Sequence, residues 1–106
     1  MYIQIITLKG SNKSSRVMIE EYSNNIYVIQ IDTKRQEDKF YNGFQYLFED
    51  KDIKEFKKFK SAKDALQYII EENFKGDIKD IDNEISCLLS EEEIKSISNL
   101  EKINNR

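Results

Sequence analysis

The spacing of apolar residues changes once along this chain, and that change limits the folds open to it. In the first third, apolar side chains alternate with polar ones or crowd into short β-branched runs. Ile3, Ile5 and Ile6 fill the segment 2–8, Val17 and Ile19 alternate with Arg16, Met18 and Glu20, and Ile26 and Val28 alternate with Tyr27 and Ile29. A period of two belongs to strands, whose successive side chains point to opposite faces. Gly10-Ser11-Asn12-Lys13 separates the first two runs, and Ser23-Asn24-Asn25 separates the second from the third. Both are turn sequences, the latter because Asn tolerates positive φ. The expectation is a three-stranded antiparallel meander with one apolar face that needs a cover.

From residue 61 the period becomes helical. Ser61 followed by Asp64 is an N-cap pattern, and Ala62, Ala65, Leu66, Ile69, Ile70 and Phe74 form one stripe ending near Gly76. Ile78, Ile81, Ile85, Leu88 and Leu89 also recur at helical spacing, with Asp77 placed to cap them. Ser90-Glu91-Glu92-Glu93 is a capping box flanked by the staple pair Leu89 and Ile94, and Ile97, Leu100 and Ile103 continue that stripe. The last turns, rich in Ser and Asn, are expected to fray.

The middle is harder to read. Phe44, Tyr46 and Phe48 alternate, with Gly43 as a bulge candidate, and this favours a fourth strand. Ile53, Phe56 and Phe59 fall at helical spacing in a segment too short for period to decide. A fifth strand over Glu55–Lys60 is favoured, and helix stays open. The fold class expected is α+β: an antiparallel sheet of four to five strands packed by a helix at about 62–75, with one or two C-terminal helices. One domain over residues 1–106 is expected, with strands to about residue 60 and helices over about 61–104. The expected core is Ile3, Ile5, Val17, Ile19, Val28, Phe44, Phe48, Phe59, Leu66, Ile69, Ile70, Ile85 and Leu88.

Composition removes much chemistry. The 106 residues include no His, no Trp, no Pro and one Cys, Cys87. No His–Cys zinc site and no Ser–His or Cys–His pair can be built from them. The three glycines are isolated, so there is no phosphate-binding loop. A non-enzymatic protein without cofactor is expected. A lone cysteine suits a reducing compartment and is expected buried and inert. No apolar run reaches a membrane span and no signal peptide opens the chain, so a cytoplasmic setting is expected. Ile, Lys, Asn and Glu are abundant while Ala, Gly, Pro and Arg are scarce, as AT-rich coding produces. That composition is shared by low-GC bacteria, their phages and other mobile elements.

Charge is uneven. Residues 1–60 carry eleven Lys and Arg against nine Asp and Glu, and residues 61–106 carry six against eleven. Some of the acidic excess suits helix N-termini, namely Asp77 and Glu91–Glu93. Asp80, Asp82 and Glu84 are surplus to that role and are the candidate docking residues for a protein with a basic surface. Asp80, Asp82, Glu84, Ser86 and Glu91 also fall at calcium-loop positions, but Ile85 stands where that loop needs Gly. Tyr41 and Tyr46 are added as interface candidates, because a tyrosine has one apolar and one wet end. The other candidate surface is Lys54, Lys57, Lys58, Lys60 and Lys63 around Phe56 and Phe59, a pattern suited to single-stranded nucleic acid. Glu49, Asp50, Asp52 and Glu55 interrupt it and the chain is acidic overall, so nucleic acid is disfavoured.

The strand-to-helix order and the stretch F-x-S-x-x-x-A at Phe59–Ala65 resemble AP2-type DNA-binding domains and WGR domains. The Trp-Gly-Arg signature is absent, as are the basic and Trp residues of AP2-type reading strands, so the resemblance implies a fold order and no function. The function expected is a small protein-binding module, an inhibitor or regulator of the kind phages and mobile elements direct at host defence proteins, with weak nucleic-acid binding through the lysine strip as the alternative.

Overall fold

A computed structural model describes residues 2–98. Three long strands, β1 (Ile3–Lys9), β2 (Lys13–Ser23) and β3 (Ile26–Arg35), form the expected meander. Gly10 N–H donates to the Lys13 carbonyl across the first turn, and Asn25 takes φ 61° in the second. Two short strands follow, β4 (Gln45–Tyr46) on the free side of β3 and β5 (Phe48–Asp50), which pairs with β6 (Glu55–Phe56) in a separate hairpin. Helix α1 (Ala62–Phe74), strand β7 (Asp80–Ser86) and helix α2 (Glu91–Ser98) complete the fold. The main sheet is antiparallel in the order β4-β3-β2-β1-β7.

The expected α+β class with a helix-covered sheet is what the chain forms. Ser61 Oγ accepts the Asp64 N–H at 3.1 Å and starts α1. At its other end Lys75 enters the left-handed region and the Gly76 N–H returns to the Ile70 carbonyl. The capping box of α2 is complete: Ser90 Oγ accepts from the Glu93 N–H, and the Ser90 N–H donates to Glu93 Oε1, both at 3.1 Å. The staple residues Leu89 and Ile94 are both buried in the main core. Leu100 and Ile103, read as more of this stripe, lie outside the described residues.

The inner face of the sheet carries Ile6, Leu8, Val17, Ile19 and Ile29, and Ala65, Leu66, Ile69, Ile70 and Phe74 of α1 cover it. Gly10 lies so close to α1 that a Cβ there would meet the Asp77 carbonyl at 2.7 Å and the Phe74 ring at 3.0 Å. The Asp77 carboxylate does not cap a following helix. It accepts the Ser11 N–H and hydroxyl, both at 3.0 Å, and ties the β1–β2 turn to the end of α1. Those bonds hold its pKa below the usual carboxylate value.

The largest departure from expectation is residues 77–89, read as helix and folded around strand β7. The pattern Asp80-Ile81-Asp82-Asn83-Glu84-Ile85 satisfies a period of two as well as a period near four. Asp, Asn and Ser favour non-helical backbone, and the open edge of β1 offers a full ladder of partners. Strand geometry moves Ile85, expected in the core, to the outer face opposite Ile5, where it is 39% exposed. Cys87, expected buried, is exposed just past the strand end. The expected fourth strand shrinks to fragments around a loop, and the fifth strand of the main sheet is β7. Only Glu55–Phe56 of the segment 55–60 is strand, although Phe59 makes an isolated bridge to Tyr27. Of the other core residues named from the sequence, Ile3, Phe44, Phe48, Phe59 and Leu88 are half-buried.

Gln4 explains how β7 is held. It is fully buried, its Oε1 accepts the Leu88 and Leu89 N–H groups at 3.1 and 2.9 Å, and its Nε2 donates to Asn83 at 2.6 Å. Gln4→Leu keeps the volume and leaves two backbone donors without their acceptor. It should cost at least about 2 kcal/mol in urea melts. Leu66→Ala should cost about 2–5 kcal/mol by cavity formation, and Ser61→Ala about 1 kcal/mol by loss of the cap. A Leu66→Ala protein as stable as the parent would remove α1 from the core.

Asp77 adds a pH dependence. A carboxyl with a depressed folded pKa stabilises the fold above its unfolded pKa, and that contribution is lost as pH falls through the folded value. Thermal melts of Asp77→Asn should therefore converge on the parent in acid and fall below it at neutral pH.

Candidate interaction surface

Strand geometry decides where the candidate acidic residues point. On β7, Asp80 and Asp82 alternate with Ile81 and Asn83, and all of Asp80, Asp82 and Glu84 are exposed. A β-bulge shifts the β1–β7 register between Ile5 and Ile6 and leaves Glu84 without a direct partner on β1. Its carboxylate reaches across β1 on the outer face, approaching the Thr7 hydroxyl at 3.5 Å and pairing with Arg16 Nη2 at 3.1 Å. Among the described residues no ion pair engages Asp80 or Asp82.

Arg16 links the two sets of candidate residues. Its guanidinium lies 5.1 Å from the Phe44 ring centroid and 5.9 Å from that of Tyr41. The Tyr41 ring also receives the Lys34 ammonium at 5.5 Å. The loop that carries these rings is fastened to the sheet by Asp32, which is 5% exposed and accepts the Asn42 and Gly43 N–H groups at 3.2 and 2.8 Å. Glu84 and Tyr41 therefore meet through Arg16 on the side of the sheet to which the strand alternation also turns Asp80 and Asp82. Arg16 does not stand out in the sequence as a site residue, because the Arg16–Glu84 pair spans 68 positions, and Phe44 is expected there as a core residue.

Tyr46 sits further along the same face, opposite Gln30 on β3. It stacks on Phe56 with centroids 4.4 Å apart, and Tyr22 meets Phe56 edge-on at 5.7 Å. A hydrogen bond to Glu20 holds the Tyr46 phenol above the usual tyrosine pKa, and burial does the same for Tyr41. Both tyrosines keep part of their surface in water, and Phe40, just before Tyr41, is 81% exposed.

The fold engages one lysine and both rings of the lysine strip. Lys54 sits in the β5–β6 turn at φ 53°. Lys57 pairs with Glu49 at 2.8 Å and lies over the Tyr68 ring at 4.9 Å. Phe56 is stacked on Tyr46 and Phe59 packs on Tyr68, so both rings are engaged within the chain. Lys58, Lys60 and Lys63 are exposed. The calcium-loop spacing falls on extended β7, which is not the tight loop such a site requires.

A groove of about 240 Å³ runs between β7 and α2, lined by Asp80, Ile81, Asp82, Asn83, Glu91, Ile94 and Lys95. A larger hollow of about 340 Å³ lies beside β4, but its carboxylate, Asp32, is already committed to the loop. Among the described residues no helix is long and apolar enough to cross a membrane. Comparison with protein-family models, with curated proteins and with solved structures finds no match to this chain.

Two measurements check this surface. The Arg16–Glu84 pair is about a third exposed on each side, so a double-mutant cycle should give a coupling of no more than about 1 kcal/mol. In alkaline titration the Tyr41 and Tyr46 phenols should ionise above the ordinary tyrosine range, and Tyr41→Phe and Tyr46→Phe should each remove the corresponding transition. A phenol with a raised folded pKa stabilises the fold below its unfolded pKa and loses that contribution as pH rises.

Proposed function

We propose that this chain is a small non-enzymatic protein-binding module that docks through the acidic outer side of β7 onto a basic surface of a partner protein, as an inhibitor or regulator. One observation carries the reading: Asp80 and Asp82 stand exposed on the same face of an edge strand, outside any helix and without an ion pair among the described residues. Charges placed so contribute little to folding, and neighbouring like charges oppose it slightly. They do raise the rate of encounter with a basic surface and select against acidic ones. Tyr41 and Tyr46 extend the same side of the sheet as amphipathic contacts. The AT-rich residue choice supports an origin in a phage or other mobile element, with a cytoplasmic host defence protein as the kind of target. Engagement of Lys57, Phe56 and Phe59 within the chain argues against nucleic-acid binding through the lysine strip.

The test begins with capture of the partner from the native host. Asp80→Lys with Asp82→Lys should then slow association by about tenfold or more at low salt. Such surface changes should alter stability by no more than about 0.5 kcal/mol. An unchanged association rate would refute the acidic docking surface. A submicromolar, salt-sensitive oligonucleotide complex lost in Lys57→Glu with Lys58→Glu would replace it with the lysine strip.

A further inference from the structure

The two edges of the main sheet are treated differently. The β3 edge is paired over residues 27–31: Tyr46 and Gln45 pair with Gln30 and Ile31, Leu47 N–H donates to the Ile29 carbonyl at 2.8 Å, and Tyr27 and Phe59 exchange two bonds of 2.9 Å. The opposite edge is β7, seven residues long, and no strand pairs with its outer side among the described residues. Alternate N–H and C=O groups of an edge strand point away from its neighbour and can accept another strand. The regular part, Asp80–Asn83, lies before the bulge at Glu84. It is also the part that borders the groove against α2, which Ile81, Ile94, Glu91 and Lys95 help to line.

We infer that the Asp80–Asn83 edge of β7 receives an extended, basic segment of the partner protein as a sixth strand. This rests on the acidic docking surface proposed above and names its mode of binding. Charge decides the occupant. A second copy of this chain paired edge to edge would set acidic side chains against acidic side chains, which opposes pairing. A strand with Lys or Arg at alternate positions sets them beside Asp80 and Asp82 on the outer face. Its intervening side chains then face the groove at Ile81, Asn83 and Ile94, because strand side chains alternate between faces. The segment expected is a short run alternating basic with small or β-branched apolar residues.

The probe is a synthetic nine-residue peptide alternating lysine with valine or threonine, compared with a copy N-methylated at alternate backbone amides and with a block-lysine peptide of equal charge. Binding of the alternating peptide should slow amide exchange in 80–83, weaken with salt, and weaken further in Asp80→Asn with Asp82→Asn. N-methylation in the pairing register should lower affinity about tenfold, as loss of one to two hydrogen bonds predicts. Equal binding of the methylated and block peptides, with unchanged exchange at 80–83, would overturn strand addition and leave the acidic surface standing. Failure of every cationic peptide to bind would overturn both.

Discussion

β1 has two edges, and both have to be filled. A strand in the middle of a covered sheet cannot leave its N–H and C=O groups unpaired without losing several kcal/mol in aggregate, since each buried orphan costs about 1–3 kcal/mol. β2 fills one edge through a four-residue turn. The other is filled from far along the chain, by Asp80–Ser86, and Gln4 completes the arrangement by accepting two backbone donors 84 and 85 positions away. Much else follows from that closure. It sets the end of α1 against the β1–β2 turn through Asp77, starts α2 where β7 leaves the sheet, and turns a run of acidic residues into one side of an edge strand.

Features with local causes were legible in the sequence. The meander could be read because its turns carry Gly and Asn and its strands keep a two-residue period. The two helix starts could be read because Ser61 and Ser90 bind the N–H groups three residues on, as the spacing implied. Residues 80–86 could not be read, because Ile81 and Ile85 satisfy both periods and the deciding partner is the β1 edge. The same non-local choice exposes Ile85 and Cys87. Between residues 40 and 60 aromatic rings alternate as in a strand, yet only short pairs form. There the rings pack mostly on one another and on Arg16, which loop backbone permits as well as strand does.

The candidate site was half legible. Charge surplus singled out Asp80, Asp82 and Glu84 correctly as residues with no capping work, while assigning them to a helix. On a helix only Asp80 and Glu84 would share a face. On β7 the alternation aligns Asp80 with Asp82, and Glu84 at the bulge pairs with Arg16 across the outer face, so the carboxylates unpaired among the described residues differ from the pair the helix implied. The lysine strip shows the converse. Its spacing along the chain was suggestive, but folding pairs Lys57 with Glu49 and seats Phe59 on Tyr68. Proximity in sequence did not foretell these engagements, while Lys54, Lys58, Lys60 and Lys63 stay exposed.

Filling the second edge of β1 moves the exposed edge to β7 without abolishing it. Natural sheets blunt such edges with proline, short strands, bulges or charge. This chain has no proline, and β7 is not short. The bulge protects one half of the strand and acidic side chains the other. A charge of one sign is an asymmetric defence: it opposes edge-to-edge pairing with an acidic strand, the same strand of a second copy included, more than pairing with a basic one. Each like-charge contact across paired strands is worth only tenths of a kcal/mol to about 1 kcal/mol, but two or three in register act together. On the reading proposed above, the like charge that opposes pairing with a second copy also favours a basic strand over an acidic one.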